Sequence, residues 1–374
     1  MDGFITNLDN SSSLTSFNIT SSHLGEGVKK LLKVLYENTA LNSFGIYNHR
    51  IGNNDGKLLK KFLCKNTTIT SLSLCGRYFR DHVGSKVGKR LANVLGKDKT
   101  LRDLKIRNYD LGSEEGQAFA NELCKNTTLI SFDLAHNVLG PEGVESLANV
   151  LCKNTTLISL NLSHNLLGPL GAKALADALY KNTTLTSLNL IGNLIGMEGA
   201  EAFADVLCKN TTLISLNLGY NNFGSEGGQA LADALCKNTT LISLNLSRNN
   251  IESEGVKALA DALCINTTLT SLNLDHNNFG SEEGQALIDA LRKNSTLTSL
   301  DLGHNNLELE RVKALTDALC ENTTLTSLNL RHNNFGSEEE QELTDAFRNK
   351  ISLDFGHNNE SDTESVLELG WDSE

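Results

Sequence analysis

A leucine returns every 28 residues along most of this chain, at Leu101, Leu129, Leu157, Leu185, Leu213, Leu241, Leu269, Leu297 and Leu325. A unit this short cannot bury a core by itself. It must stack on its neighbours, so the period constrains the fold before any composition figure does. Weaker copies begin near Leu14, Leu41 and Ile69, and a strand-like segment, "SLDFGHN", ends at Asn358. The chain therefore reads as one repeat domain over residues 14–358, twelve repeats plus a terminal strand. A lead-in occupies 1–13, and an acidic tail or cap occupies 359–374.

The copy at residues 157–184, "LISLNLSHNLLGPLGAKALADALYKNTT", shows what each position does. Leu160 and Leu162 alternate with Ser159 and Asn161, the period-two pattern of a short strand with one wet face. Asn165 closes the turn, where its amide can bond the backbone of neighbouring turns. Leu175 and Leu179, with Ala174 and Ala178, share one helical face. In sister repeats Ser225, Ser253, Ser281 and Ser337 are expected N-caps, each followed by glutamate. One strand and one helix per repeat require parallel strands with right-handed crossovers. Strands stack about 4.8 Å apart and helices about 9 Å, so the array should curve with the sheet inside, by roughly 20–25° per repeat. The expected fold class is α/β, a horseshoe solenoid with an inner parallel sheet and outer helices.

Nine Asn-(Thr/Ser)-Thr triplets, from Asn66 and Asn126 to Asn322, formally match the N-glycosylation acceptor. Each falls just past a helix, where asparagine tolerates the left-handed conformation, and the threonines suit the strand that follows. The triplets are thus read as helix stops. Seven of the eight cysteines share one repeat position just before the triplet. Equivalent positions on adjacent helices lie about 8–10 Å apart, beyond disulfide reach, so reduced thiols are expected. The start "MDGFITNLDNSSS" lacks a basic-then-apolar signal pattern, and no apolar run approaches about 20 residues. A cytoplasmic location is the expectation.

"LxxLxLxxN" followed by "LGxxGAxALADAL" resembles the leucine-rich repeats of the ribonuclease-inhibitor type, which also form the C-terminal arrays of NOD-like receptors. The resemblance covers nearly the whole chain. It implies protein binding through the concave face and its flanking turns.

No H-E-x-x-H, C-x-x-C or G-x-S-x-G occurs, and "GSKVGK" at 84–89 is one residue too short between its glycines for a P-loop. No catalytic residue, metal or cofactor is expected. His136, His164, His276, His304, His332 and His357 share one position just after the strand. Ladder neighbours should project in parallel without converging on an ion, so a pH-sensitive contact or plain repeat inheritance is the better reading. The concave columns are uniform, serine and then Asn or Asp, giving a polar floor without anchors. Tyr220 and Arg248 are the mid-array exceptions, and both are candidate partner-binding residues.

Departure from the repeat is more informative. Residues 57–107 carry fourteen Lys and Arg against three Asp, net +11 there and −23 elsewhere. The spacing from Ile69 to Leu101 is four residues longer than the repeat, the excess lying in "CGRYFRDHVGSK". Candidate partner-binding residues are Arg77, Tyr78, Phe79 and Arg80 in that loop, Lys105, Arg107 and Tyr109 on and after the next strand, and Tyr47 and His49 one repeat earlier. A basic patch on an acidic body suits a protein partner with an acidic surface, not nucleic acid or membrane, and the chain is expected to be a monomer. Two alternatives stand beside this scaffold reading. Gly76-Arg77 resembles the Gly-Arg of an extended loop in Ran GTPase-activating proteins, which implies a role for Arg77 on the transition-state charge of a GTPase. A host-directed effector could use the same repeats. In the acidic tail, Val366, Leu367, Leu369 and Trp371 are expected to cap the last repeat or to form a docking peptide.

Overall fold

The computed structural model describes residues 14–20, 27–35, 38–49, 51–77, 85–307 and 312–356. Its strands form a single 13-stranded sheet whose spatial order equals the chain order. Every pairing is parallel and in register, as Ser159↔Ser187 and Leu160↔Leu188 illustrate. Four strands of five residues come first: β1 (Ser16–Thr20), β2 (Ser43–Tyr47), β3 (Ser71–Cys75) and β4 (Asp103–Arg107). Nine of three residues follow: β5 (Ser131–Asp133), β6 (Ser159–Asn161), β7 (Ser187–Asn189), β8 (Ser215–Asn217), β9 (Ser243–Asn245), β10 (Ser271–Asn273), β11 (Ser299–Asp301), β12 (Ser327–Asn329) and β13 (Ser352–Asp354). A helix crosses over between successive strands and packs on the next repeat's helix. The result is an α/β solenoid with one continuous apolar core between the two layers.

The short strands end for a chemical reason. Their third residue is Asn or Asp, and its Oδ1 captures the N–H two residues on: Ser163 to Asn161 at 3.0 Å, Gly219 to Asn217 at 3.0 Å, Ser247 to Asn245 at 2.8 Å. A donor that would extend the ladder is thereby diverted. The carbonyl left over is claimed by the buried asparagine that closes the turn. Asn193 Nδ2 donates to Leu162 and Leu190, both at 2.9 Å, while its Oδ1 accepts from the Asn165 N–H at 2.8 Å. The same bonds recur from Asn137 to Asn333, so backbone groups beyond the strands stay satisfied.

Between strand and ladder asparagine the chain turns through the left-handed region. His136, His164, Tyr220, Arg248, His276, His304 and His332 all have φ between 49° and 57°. The histidine position is thus left-handed, and the asparagine of the Asn-Thr-Thr triplet is not. Asn266 and Asn294 follow their helices with extended backbone, at φ −66° and −75°. The triplet does stop the helix, but through its side chain. Asn182 Oδ1 accepts from the N–H groups of Thr184 and Leu185, at 3.0 and 2.8 Å, and Nδ2 donates to the Leu151 carbonyl at 2.8 Å. The atom a glycan would occupy is therefore a buried donor to the preceding repeat.

The serine N-cap expectation is corrected. Helices start at Gly224, Ser253, Ser281 and Ser337, which places the serines inside the first turn. The cap N–H of Gly280 is instead taken by the Glu283 carboxylate at 3.0 Å, and that of Gly112 by Glu115 at 2.9 Å. Ser225 Oγ accepts from the Gly255 N–H of the next repeat at 3.0 Å. On the helices Leu175, Ala176, Ala178 and Leu179 are buried, and Ala174 packs at the margin of the core.

Candidate interaction surface

The sheet's open face is polar, but its Asn/Asp column is not a free binding floor. The side-chain oxygens are already committed to the turn bonds described above, which leaves the serines and the residues after each strand as the exposed chemistry. Charged groups gather there in two places.

At the N-terminal end, Lys105 lies between the buried Leu104 and Ile106 and is half-buried on the open face. It takes the third strand position that Asp133 and Asn161 fill in the following repeats. Arg107 ends β4 and reaches across to β5, where its Nε donates to Asp133 Oδ2 at 2.9 Å and Nη2 makes a second contact with the same oxygen. Asp133 is buried and also accepts from Ala135 N–H and Asn161 Nδ2, so Arg107 neutralises a carboxylate that cannot reach water. Arg107 is thus a structural partner as well as a surface charge. Tyr47 is half-buried, its ring folded over the backbone of Gly45. Arg77 is half-buried one residue after Gly76. A Cβ at Gly76 would collide with the Asn108 carbonyl oxygen, so close strand packing accounts for that glycine.

Two of the sequence candidates do not belong to this surface. Tyr109, Arg77 and His49 stand where other repeats have the ladder asparagine; Tyr109 and His49 point inward there, whereas Arg77 stays half-buried. Tyr109 is 1% exposed, its Oη donating to the His49 carbonyl at 3.2 Å, and His49 is buried with it. Burial pushes the Tyr109 phenol far above its ordinary range. Aromatic replacement of a turn asparagine here fills core. Tyr78, Phe79 and Arg80 lie outside the described residues, as do His357 and the tail. The near-P-loop stretch runs into the helix Ser85–Leu95, as part of an ordinary repeat.

The second cluster is mid-array. Tyr220 is half exposed, and Arg248 Nη2 lies 3.1 Å from His276 Nε2, whose Nδ1 meets Asp275 Oδ2 at 2.7 Å. His276, His304 and His332 stack, with centroids 3.8 and 4.1 Å apart, and His136 stacks on His164 at 4.4 Å. Burial, the neighbouring His164 and Arg107 hold His136 down at about 4, and burial followed by the charge of His276 lowers His304. Asp275 was missed by sequence reading, although the signal was present: its column otherwise reads Ala135, Ser163, Ile191, Gly219, Ser247, Gly303 and Arg331. Among the described residues Asp275, His276 and His304 bring one ligand atom each within 4.8 Å. They converge more than parallel projection implied, because Asp275 turns onto the ring beside it. Both nitrogens of His276 already have partners, Asp275 and Arg248, which makes the group a hydrogen-bonded relay that orients Arg248.

The family model described as Leucine Rich repeat matches eight times, at 125–148, 153–176, 181–204, 209–232, 237–260, 266–287, 293–315 and 321–338. No curated protein sequence matches the chain. Among solved structures, the yeast Rad7 and Elc1 complex contains a chain similar over 94% of this protein and 87% of its own length, with 15% identity and a TM-score of 0.57. A leiomodin-1 fragment, actin-binding site 2, is 25% identical over 40% of this chain and 88% of its own, with a TM-score of 0.35. The first likeness concerns the fold. Among the described residues no helix is long and apolar enough to cross a membrane.

Proposed function

The chain belongs to the leucine-rich repeat family, and from that premise we propose that it is a non-catalytic scaffold binding another protein on its open sheet face and flanking turns, through the basic N-terminal end. The observation that supports this most is Lys105, a half-buried cation on a strand position that is uncharged or acidic in every other repeat, with Arg107 on the same strand, Tyr47 at the end of β2 and Arg77 two residues past β3. Arg and Tyr dominate interface energetics when desolvated, and a cationic end on an acidic body orients an acidic partner. The expected partner is a protein with an acidic surface, met in the cytoplasm by a monomeric scaffold.

The test uses a partner recovered by proximity labelling and then purified. Arg77→Ala with Lys105→Ala should weaken its binding at least tenfold, leave the unfolding midpoint in place, and flatten the salt dependence of association. Wild-type affinity in that variant, with loss in Tyr220→Ala/Arg248→Ala, would move the site to the mid-array cluster. With Gly76 explained by packing, only Arg77 carries the likeness to GTPase activators. Stimulated GTP hydrolysis is expected to be absent with or without Arg77→Ala.

A further inference from the structure

Three consecutive repeats carry an apolar edge that their sisters lack. After the ladder asparagine the chain reads "NVLGPEG", "NLLGPLG" and "NLIGMEG" in residues 137–143, 165–171 and 193–199, where the following repeats read "NNFGSEG" and "NNIESEG". The first column is Val138, Leu166 and Leu194, exposed by 43%, 43% and 61%. Beside it, at the start of the helices, lie Pro169, Met197 and Leu170, the last 74% exposed. Leu166 and Leu194 also hold left-handed backbone, at φ 57° and 55°. Asn222, Asn250 and Asn278 occupy the same place with the same backbone, and asparagine tolerates it far better than leucine. These leucines are therefore worse for the fold on two counts: they strain the backbone and leave apolar surface wet. A local rule broken in three adjacent repeats, with no return in packing, marks a surface kept for something else.

We propose that this edge is a docking site for an amphipathic, basic α-helix of a partner protein, distinct from the basic end of the open face. The repeat pitch supports a helix. Turns on adjacent strands follow each other at about 4.8 Å, and the apolar positions of a helix recur every 3.5 residues, about 5.3 Å along its axis, so three or four helical side chains can interleave with the column. Charge sets its flanks. Exposed Glu142, Glu198 and Glu226 border the apolar residues, so Lys and Arg beside the partner's apolar stripe would be matched. The same glutamates disfavour the other occupants. A second copy in two-fold contact would bring Glu142 and Glu198 against their own kind. An anionic lipid surface would be repelled.

The test pairs two probes with one variant. The probes are an 18-residue Leu/Lys peptide with leucines at helical spacing and its scrambled isomer, labelled and titrated by fluorescence anisotropy at physiological salt. The variant is Leu166→Asn with Leu194→Asn, which restores the sister residues, leaves net charge unchanged and suits the left-handed backbone. The patterned peptide should bind wild type at least tenfold tighter than the scrambled one. The variant should lose that difference while its unfolding midpoint stays level or rises. A fall in the midpoint would show that the leucines serve the fold and overturn the proposal, as would equal binding of both peptides. Wild-type dimers by light scattering that become monomers in the variant would assign the edge to a second copy. Binding to anionic phosphatidylserine vesicles lost in the variant would assign it to membrane. Either outcome would also overturn it. None of these measurements touches Arg77 or Lys105, so failure here leaves the scaffold reading of the basic end separately testable.

Discussion

Strands β2 to β4 and strands β5 to β13 share one leucine spacing but end in different ways. In the first group the third strand residue is Gly45, Ser73 or Lys105, and pairing runs on to Tyr47, Cys75 and Arg107. In the second it is Asn or Asp, pairing stops there, and an asparagine ladder takes over. Where the ladder is missing, bulk replaces it: Tyr109 and His49 fill the space, and Tyr109 Oη donates to the His49 carbonyl two repeats back. The comparison teaches that the amide network and the longer strand are two solutions to one problem, the satisfaction of buried backbone groups at the end of a parallel strand. Only the longer strand leaves its third and fifth side chains uncommitted to turns, which is where Lys105 and Arg107 stand, while the mid-array charges Arg248 and Asp275 follow their strands.

The largest expected effect comes from breaking the ladder. Asn193→Ala removes one acceptor and two donations in a fully buried site and should cost about 3–5 kcal/mol, near the 2–5 kcal/mol of a core change such as Leu188→Ala. Urea unfolding of the two variants checks this, and a cost under about 1 kcal/mol for Asn193→Ala would mean the ladder is decorative. Next, Tyr109→Asn tests whether the two solutions are interchangeable. The packing around a buried ring cannot collapse onto an amide, so about 3 kcal/mol should be lost even though the consensus residue is restored. A neutral result would make the N-terminal repeats ordinary.

Arg107→Ala should cost about 1–2 kcal/mol by stranding the buried Asp133, with recovery in Arg107→Ala/Asp133→Asn; a double-mutant cycle gives the coupling. The half-buried Asn189 comes lower, at about 1 kcal/mol for Asn189→Ala. That exceeds what a solvated floor residue would show, because its Oδ1 accepts from the Ile191 N–H at 3.1 Å. The effect that vanishes at neutral pH, and is smallest there, is acid sensitivity. His136 is held at about 4 in the fold against about 6.5 unfolded, so the unfolded chain binds the extra proton first. Stability from this group is complete above about pH 6.5 and is lost as pH falls toward 4, and His136→Gln should remove that part of the acid slope.

Much of this was legible in the residues. The period assigned strand, turn and helix to each repeat, and parallel order followed from one strand and one helix per unit. Asn165 was readable as a turn amide because its spacing from Leu160 and Leu162 places it just past the strand. Asn182 was readable as a helix stop but not in mechanism, since an asparagine past a helix can act through backbone or side chain, and only the position of the Leu151 carbonyl selects the latter. Tyr109 and His49 show the same limit. A polar or aromatic residue in a turn says nothing of its own direction, and here the inward vector belongs to the ladder position they inherit. Arg107 looked like a solvated charge because its partner lies 26 residues away on another strand. The sequence by itself determined the architecture, since a 28-residue period can bury its leucines only by stacking. The tertiary structure decided which polar side chains remain free to act, because that depends on which backbone groups of the neighbouring repeat reach them first.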